Sequence, residues 1–262
     1  MILGSIDIAT GRAALFGFPR SLVNVPLPPE TARAFGCRCF PKQLNALYSY
    51  AGLHPDLFPG GRNRGFRAVA GAIEELTRLK LDGMIVADLN GFVKLIDALG
   101  GVQINVPKAV RDPAYPTEDG KRFIRIYIPA GPQRMDGTRA LQYVRSRHQD
   151  TDYHRMRRQQ LLLVAVRRQI NVCSLVPRLP ELVAIGKRTV KTDLPISQLP
   201  SLLEVIQRVD ASRVHRVTFT PPNYRERLTA GEVARIREAV RTIFAKPAEP
   251  EERLDPGAGS GC

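Results

Sequence analysis

The sequence has no tryptophan, only four cysteines, and no unbroken run of the 18 or so apolar residues that a membrane-spanning helix needs. No leader with a basic start and a short apolar stretch opens the chain. The cysteines, Cys37, Cys39, Cys173 and Cys262, lack zinc or redox spacing. Cys37 and Cys39 are separated by one residue, which reads as too close for an easy mutual bond, and a bond from either to a distant cysteine stays open. Aromatic residues make up 6% of the chain and do not interleave with its cations. The stacking surfaces of nucleic-acid-binding modules are therefore missing, and no nucleic-acid partner is expected. Acids are also scarce: 25 Asp and Glu stand against 39 Lys and Arg, a formal charge of +14.

What is present is ordinary globular composition, 44% hydrophobic and 24% charged over 262 residues, enough for one large α/β domain. Only 8 of the 39 cations are Lys; 31 are Arg. Arginine offers a planar fork of donors matched to phosphate oxygens, whereas lysine is a point charge. A compositional preference for Arg explains part of this, so position matters more than total. Eight Arg against two Asp fall between Arg139 and Arg168. That segment carries +6 of the +14, and it is singled out for that reason.

Hydrophobic periodicity organises the rest. Ile2–Ile8 and Ala13–Phe18 read as strands around a Thr10-Gly11 turn, the first a buried strand that suggests residues upstream of Met1. Pro-rich and Gly-rich loops follow over 19–41 and 52–65. Phe66, Val69, Ile73 and Leu76 mark a helix over Gly65–Leu79, and Met84–Val86 a short buried strand. Asn90 is placed to cap a helix that stops at Gly100-Gly101. Val102–Val106 and Phe123–Ile128 alternate as strands, with a polar, turn-rich stretch over Asp112–Lys121 between them. Asp136 caps a helix through Val144, and Arg155–Asn171 is a long helix. Ser197–Val209 is helical with Leu199, Leu202, Leu203 and Ile206 inward, and Val214–Thr220 is a strand. Thr229 and Glu232 form a capping box for the last helix. The alternation predicts an α/β fold: a single domain over 1–245, a mixed central β-sheet flanked by helices on both faces, and a disordered tail over 246–262.

The basic segment runs Tyr143-Val-Arg145-Ser-Arg147-His148, then Asp150-Thr-Asp152-Tyr-His-Arg155 and Arg158-Gln159-Gln160. Arg145 and Arg147 lie where a helix gives way to extended chain. Arg155 and Gln159 share a face of the next helix at i, i+4, with Arg158 adjoining at i+3. Since Arg155 opens that helix, the helix dipole adds to the positive field. Guanidiniums gathered this closely repel unless an anion lies among them. Pairing with Asp150 and Asp152 is the bland reading, but two acids do not neutralise eight Arg.

This segment resembles the hallmark motif of the LytR-CpsA-Psr (LCP) family. Phe18-Pro19-Arg20, Leu44-Asn45-Ala46, Gly91-Phe92 through Leu99-Gly100-Gly101-Val102, and Met135-Asp136-Gly137 through Ala140-Leu141 are similar to further family segments, in the same order. The resemblance implies an enzyme, an extracytoplasmic and membrane-anchored phosphotransferase. It would move a glycopolymer such as teichoic acid, capsule or arabinogalactan from a polyprenyl-pyrophosphate carrier to a peptidoglycan hydroxyl, with Mg²⁺ assisting. Its partners would be that lipid-linked glycopolymer, peptidoglycan and the membrane surface. Arg20, Arg145 and Arg147 are then the implied catalytic residues. Arg20, Asn45, Arg145, Arg147, Arg155, Arg158 and Gln159 are the implied pyrophosphate ligands.

Two departures stand out: Ser21 replaces the acid usual after the Pro-Arg pair, and Gln43 stands where the family often has Lys. The family's metal-binding acids lie just upstream of a strand like Met1-Ile2-Leu3, so no metal ligand is expected within the chain. Asp150 and Asp152 are the substitutes it offers, and His148 and His154 read as polar supports. The alternative function is a non-catalytic polyprenyl-(pyro)phosphate-binding module without its metal ligands.

Overall fold

The computed structural model describes residues 1–117, 120–147, 151–170 and 178–245. The expected tail, Cys173, Cys262, His148, Asp150 and Pro177 lie outside the described residues. The chain divides into two compact units. The first comprises Met1–Leu3, Phe16–Met84 and the described part of Val217–Pro247; the second comprises Gly4–Leu15 and Ile85–Arg216.

The described strands and helices alternate as an α/β protein should. Strands β1 (Ile2–Ile6), β2 (Ala13–Gly17) and, late in the chain, Val214–Thr218 form a three-stranded sheet with β2 central. Gly11 makes the β1–β2 turn at φ +70°, where a Cβ would meet the Arg208 carbonyl oxygen at 2.3 Å. β1 is half-buried rather than fully buried.

In the first unit, β3 (Val25–Pro26) pairs with β4 (Cys39–Phe40) beside the short helix α1 (Pro29–Ala32). Cys37 and Cys39 are joined in a disulfide, against the expectation from their spacing. Arg38 adopts a left-handed φ of 53°, which turns the chain back and brings the two Cα atoms to 5.1 Å, inside the usual range. Helix α2 (Leu44–Leu53) buries Leu44, Leu47 and Ala51. Those residues stand at helical spacing in the sequence, but the segment was not predicted as a helix. Helix α3 (Arg64–Thr77) buries Phe66, Val69, Ile73 and Leu76, the stripe read from periodicity.

In the second unit, β5 (Ile85–Ala87) is exposed, with Ile85 60% accessible, which corrects the expected buried strand. Its only pairing partner among the described strands is the three-residue strand Val190–Thr192, and a ribbon that narrow covers neither of its faces. Helix α4 (Leu89–Ala98) is capped by Asp88, whose carboxylate accepts from the Gly91 amide at 2.6 Å. Asn90 therefore sits inside the first turn. Gly100 and Gly101, at φ +82° and +84°, end α4 as expected. β6 (Val102–Val106) pairs antiparallel with β9 (Gly131–Met135), and β7 (Val110–Pro116) with β8 (Phe123–Ile128). β7 replaces the first half of the predicted turn-rich stretch. Its two prolines and Asp112 disguised it, and pairing with β8 supplies the hydrogen bonds that its local sequence does not signal.

Helices α5 (Gly137–Arg145) and α6 (Asp152–Gln169) follow. Asp136 caps α5 through the Arg139 amide at 2.7 Å, as expected, and α6 starts one turn earlier than read. Next come α7 (Leu179–Thr189), β10 (Val190–Thr192), which pairs with β5, and α8 (Leu199–Arg208). α7 was not foreseen, and Pro180 lies in its first turn rather than breaking the chain. The expected inward leucines of α8 are only half-buried. The strand of Val214–Thr218 is β11, and α9 (Ala230–Arg241) opens on Thr229, which accepts from the Glu232 amide at 3.3 Å.

The second unit's core is one cluster from β6 to α6, including Val102, Ile104, Ile128, Met135, Tyr143, Val144 and Leu162. It fixes α5 against the strands. Two segments far apart in sequence meet here: Asp97 accepts from the Gly137 amide at 2.7 Å. A Cβ on Gly137 would lie 2.2 Å from the Val93 carbonyl oxygen, so only glycine lets α5 start this close to α4. Gly137→Ala is expected to destabilise the protein by about 1–3 kcal/mol through overpacking, read from the urea midpoint. A midpoint equal to wild type would contradict the close approach.

Candidate functional site

The basic segment folds as a corner between α5 and α6. Arg145 is the last residue of α5, and Ser146 caps it with extended ψ 140°, so Arg147 leaves the helix axis. Arg145 packs its guanidinium over the Tyr115 ring at 5.6 Å. Its Nη1 is buried and has no hydrogen-bond partner among the described residues. Arg147 is exposed. A buried guanidinium nitrogen beside an exposed arginine is a donor pair suited to an anion.

Arg155 and Gln159 face the corner from α6. Gln159 Nε2 donates to the Val144 carbonyl at 3.3 Å, which places its amide against the last turn of α5. Arg155 is bridged to Asp152 at 2.9 Å, three residues back on its own helix. That part of the bland reading holds for Arg155. Among the described residues no ion pair involves Arg145 or Arg147.

Arg158 differs from its neighbours. It is 6% exposed, and it donates through Nε to the Tyr143 carbonyl at 2.8 Å and through Nη2 to the Ser146 carbonyl at 2.6 Å. These are two of the carbonyls that a helix C-terminus leaves without intrahelical partners. Arg158, expected as a pyrophosphate ligand, thus has its fork turned onto α5. Gln160, also buried, donates to the Leu15 carbonyl at 3.1 Å.

Arg20 and Asn45 belong to the first unit, and the fold brings these two together. The Asn45 amide donates to the Arg20 carbonyl at 3.1 Å, and both side chains are exposed. Ser21, which stands where an acid was expected, donates to the Glu226 carboxylate at 2.8 Å. An acid therefore reaches that turn from another segment. Asp152 is taken by Arg155, and among the described residues no three His, Cys, Asp or Glu side chains cluster as a metal site. The described residues therefore do not compose a Mg²⁺ centre.

Asp112, Tyr115 and Ser146 were not singled out from sequence, yet they surround the corner. Asp112 is buried and accepts from Ser146 Oγ at 2.8 Å and from the Arg147 amide at 3.2 Å. The one signal in the sequence was an acid inside a stretch otherwise read as turn.

Comparison with known proteins supplies a context for this corner. The model of the LytR_cpsA_psr family matches residues 1–237. A polyisoprenyl-teichoic acid–peptidoglycan teichoic acid transferase, TagU of Oceanobacillus iheyensis, is 29% identical over 206 residues, 78% of this chain and 55% of the relative. TagV of Bacillus subtilis, of the same description, is 24% identical over 180 residues, 68% of this chain and 42% of the relative. The chain thus spans about half the length of these curated relatives. The crystal structure of B. subtilis TagV superposes with a TM-score of 0.66 at 19% identity, covering 93% of this chain and 88% of that one, which shows a shared fold. No helix among the described residues is long and apolar enough to cross a membrane.

Proposed function

The chain belongs to the LytR-CpsA-Psr family, and from that premise we propose that it is a phosphotransferase acting on a polyprenyl-pyrophosphate-linked glycopolymer. The observation that carries the reading is the buried Nη1 of Arg145, without a hydrogen-bond partner among the described residues, beside the exposed Arg147. The named activity of the TagU and TagV relatives, teichoic acid transfer to peptidoglycan, supports the substrate class. In the proposed reaction a peptidoglycan hydroxyl oxygen bonds to the sugar-side phosphorus. The bond from that phosphorus to the bridging oxygen breaks, polyprenyl phosphate leaves, and the hydroxyl proton passes to solvent. Such transfers need positioning and charge neutralisation more than covalent catalysis. Arg145 and Arg147 supply neutralising donors, with Gln159 and Arg155 on the adjoining helix face.

Arg20 and Asn45, both in the first unit, are proposed as phosphate-binding residues from family membership alone, each tested by its own substitution. Mg²⁺ assistance and an extracytoplasmic, membrane-anchored location are proposed from family membership alone.

The test is transfer of a labelled, polyprenyl-pyrophosphate-linked glycopolymer onto peptidoglycan by the full encoded protein with Mg²⁺ present. Label fixed covalently to peptidoglycan is the expected result. Tight binding of the lipid substrate with no transfer would replace this reading with a binding module, and absence of both would end it.

A further inference from the structure

Strand β7 contains a bulge whose geometry has a bearing on the arginine corner. Asp112 pairs with Ile126 and Tyr115 with Ile124, so β7 takes three steps while β8 takes two. In a regular strand, residues three apart point to opposite faces. The extra residue puts Asp112 and Tyr115 on the same, buried face, at 2% and 3% exposure. Both then meet the end of α5. Tyr115 lies under the Arg145 guanidinium, and Asp112 reaches the two residues that follow Arg145.

The Asp112 carboxylate accepts from at least three donors. Oδ1 takes the Ala114 amide at 3.1 Å, within the bulge itself, while Oδ2 takes Ser146 Oγ at 2.8 Å and the Arg147 amide at 3.2 Å. Ser146 is held on every polar atom. Its amide donates to the Gln142 carbonyl at 3.0 Å, its hydroxyl to Asp112, and its carbonyl accepts from Arg158 at 2.6 Å. The residue between the two arginines is thus fixed from the strand side by a carboxylate and from the helix side by a guanidinium.

We propose that Asp112 is a positioning residue: by holding Ser146 and the Arg147 amide, it fixes the direction in which Arg145 and Arg147 present their donors to a pyrophosphate. A buried carboxylate is costly unless its hydrogen bonds return the cost, and here three donors converge on it. A hydroxyl and an amide from the same corner give it leverage over backbone direction that an apolar residue in its place would lack. The assignment rests on the reading of the corner as a pyrophosphate site.

The experiment compares Asp112→Asn and Ser146→Ala with wild type on two readouts. One is affinity for geranylgeranyl pyrophosphate; the other is hydrogen exchange at the Arg147 amide. Ser146→Ala removes a single donor and keeps the variant set interpretable if Asp112→Asn folds poorly. A misdirected ligand pair costs on the order of 10- to 100-fold, so affinity is expected to fall by that factor while Arg147 exchange accelerates. Added to an Arg147→Ala background, in which Arg145 still binds, Asp112→Asn is expected to cost less affinity than it does in wild type, as required if it acts partly through Arg147. A folded Asp112→Asn or Ser146→Ala protein with wild-type affinity overturns the proposal while leaving the pyrophosphate site standing. If wild type itself does not bind, the site reading fails instead, and unchanged Arg147 exchange in both variants overturns the hold by Asp112 independently.

Discussion

Replacement of Arg145 by alanine is expected to lower affinity for an isoprenyl pyrophosphate by roughly 100-fold while leaving the unfolding midpoint near wild type. Each hydrogen bond to a charged group is worth about 1.5–3 kcal/mol, and about 1.4 kcal/mol is tenfold in affinity, so losing one two-pronged contact gives that factor. The stability half of the expectation follows from what Arg145 does in the fold. Its Nη1 is buried without a hydrogen-bond partner among the described residues, and its contact with Tyr115 is ring packing at 5.6 Å. Removing it takes away a modest packing contact and also a desolvated donor, and these oppose each other. Arg145→Lys keeps the charge and loses the fork, so its affinity should fall between the two. A large drop in midpoint with unchanged affinity would mean that Arg145 is an element of the core instead.

Replacement of Arg158 has the opposite expected signature. Arg158→Ala should cost about 2–4 kcal/mol of stability, because it leaves the buried Tyr143 and Ser146 carbonyls without the donors they now have. The guanidinium also lies over the Tyr143 ring at 5.9 Å, and Tyr143 is fully buried. Arg158→Lys should recover little, since one ammonium does not reproduce a fork spanning two carbonyls. Equilibrium denaturation of both variants, with affinity measured below the transition, separates the roles. An Arg158→Ala protein as stable as wild type that has lost its ligand would return Arg158 to the binding face. Two arginines 13 positions apart in one motif would thus differ in kind, one facing an anion and one bracing the helix end.

Much of this was legible because it is local. The Asp136 cap, the Gly100-Gly101 stop, the α3 stripe and the Thr229–Glu232 capping box depend on residues within a turn or two of each other. The corner around Arg145 and Arg147 was visible for the same reason, as charge density at a helix end. Features that depend on partners distant in sequence were not legible. One local feature was misread as well: Asp88 rather than Asn90 caps α4, and which of two neighbouring cap residues is used is a matter of backbone geometry. β7 was hidden because Pro113, Pro116 and Asp112 argue for a turn, whereas β8 pairs with Asp112 and Pro116 and leaves Pro113 in the bulge. The role of Asp112 was signalled in the sequence only by an acid in an apparent turn, since it arises from a bulge that sets its side chain and that of Tyr115 on one face. Arg155 and Arg158 lie on adjoining rows of α6, and only the rotation of α6 against α5 decides which one turns inward. The Cys37–Cys39 bond depends on the left-handed Arg38, a conformation that the sequence did not signal.

That the α5–α6 corner presents donors to a pyrophosphate is tested most directly by titration calorimetry of geranylgeranyl pyrophosphate into the wild-type protein and into an Arg145→Ala, Arg147→Ala double variant, with uncharged geranylgeraniol as control. Saturable binding by wild type, none by the folded double variant and none of the alcohol is the predicted result. Equal binding of the pyrophosphate by both proteins would contradict it.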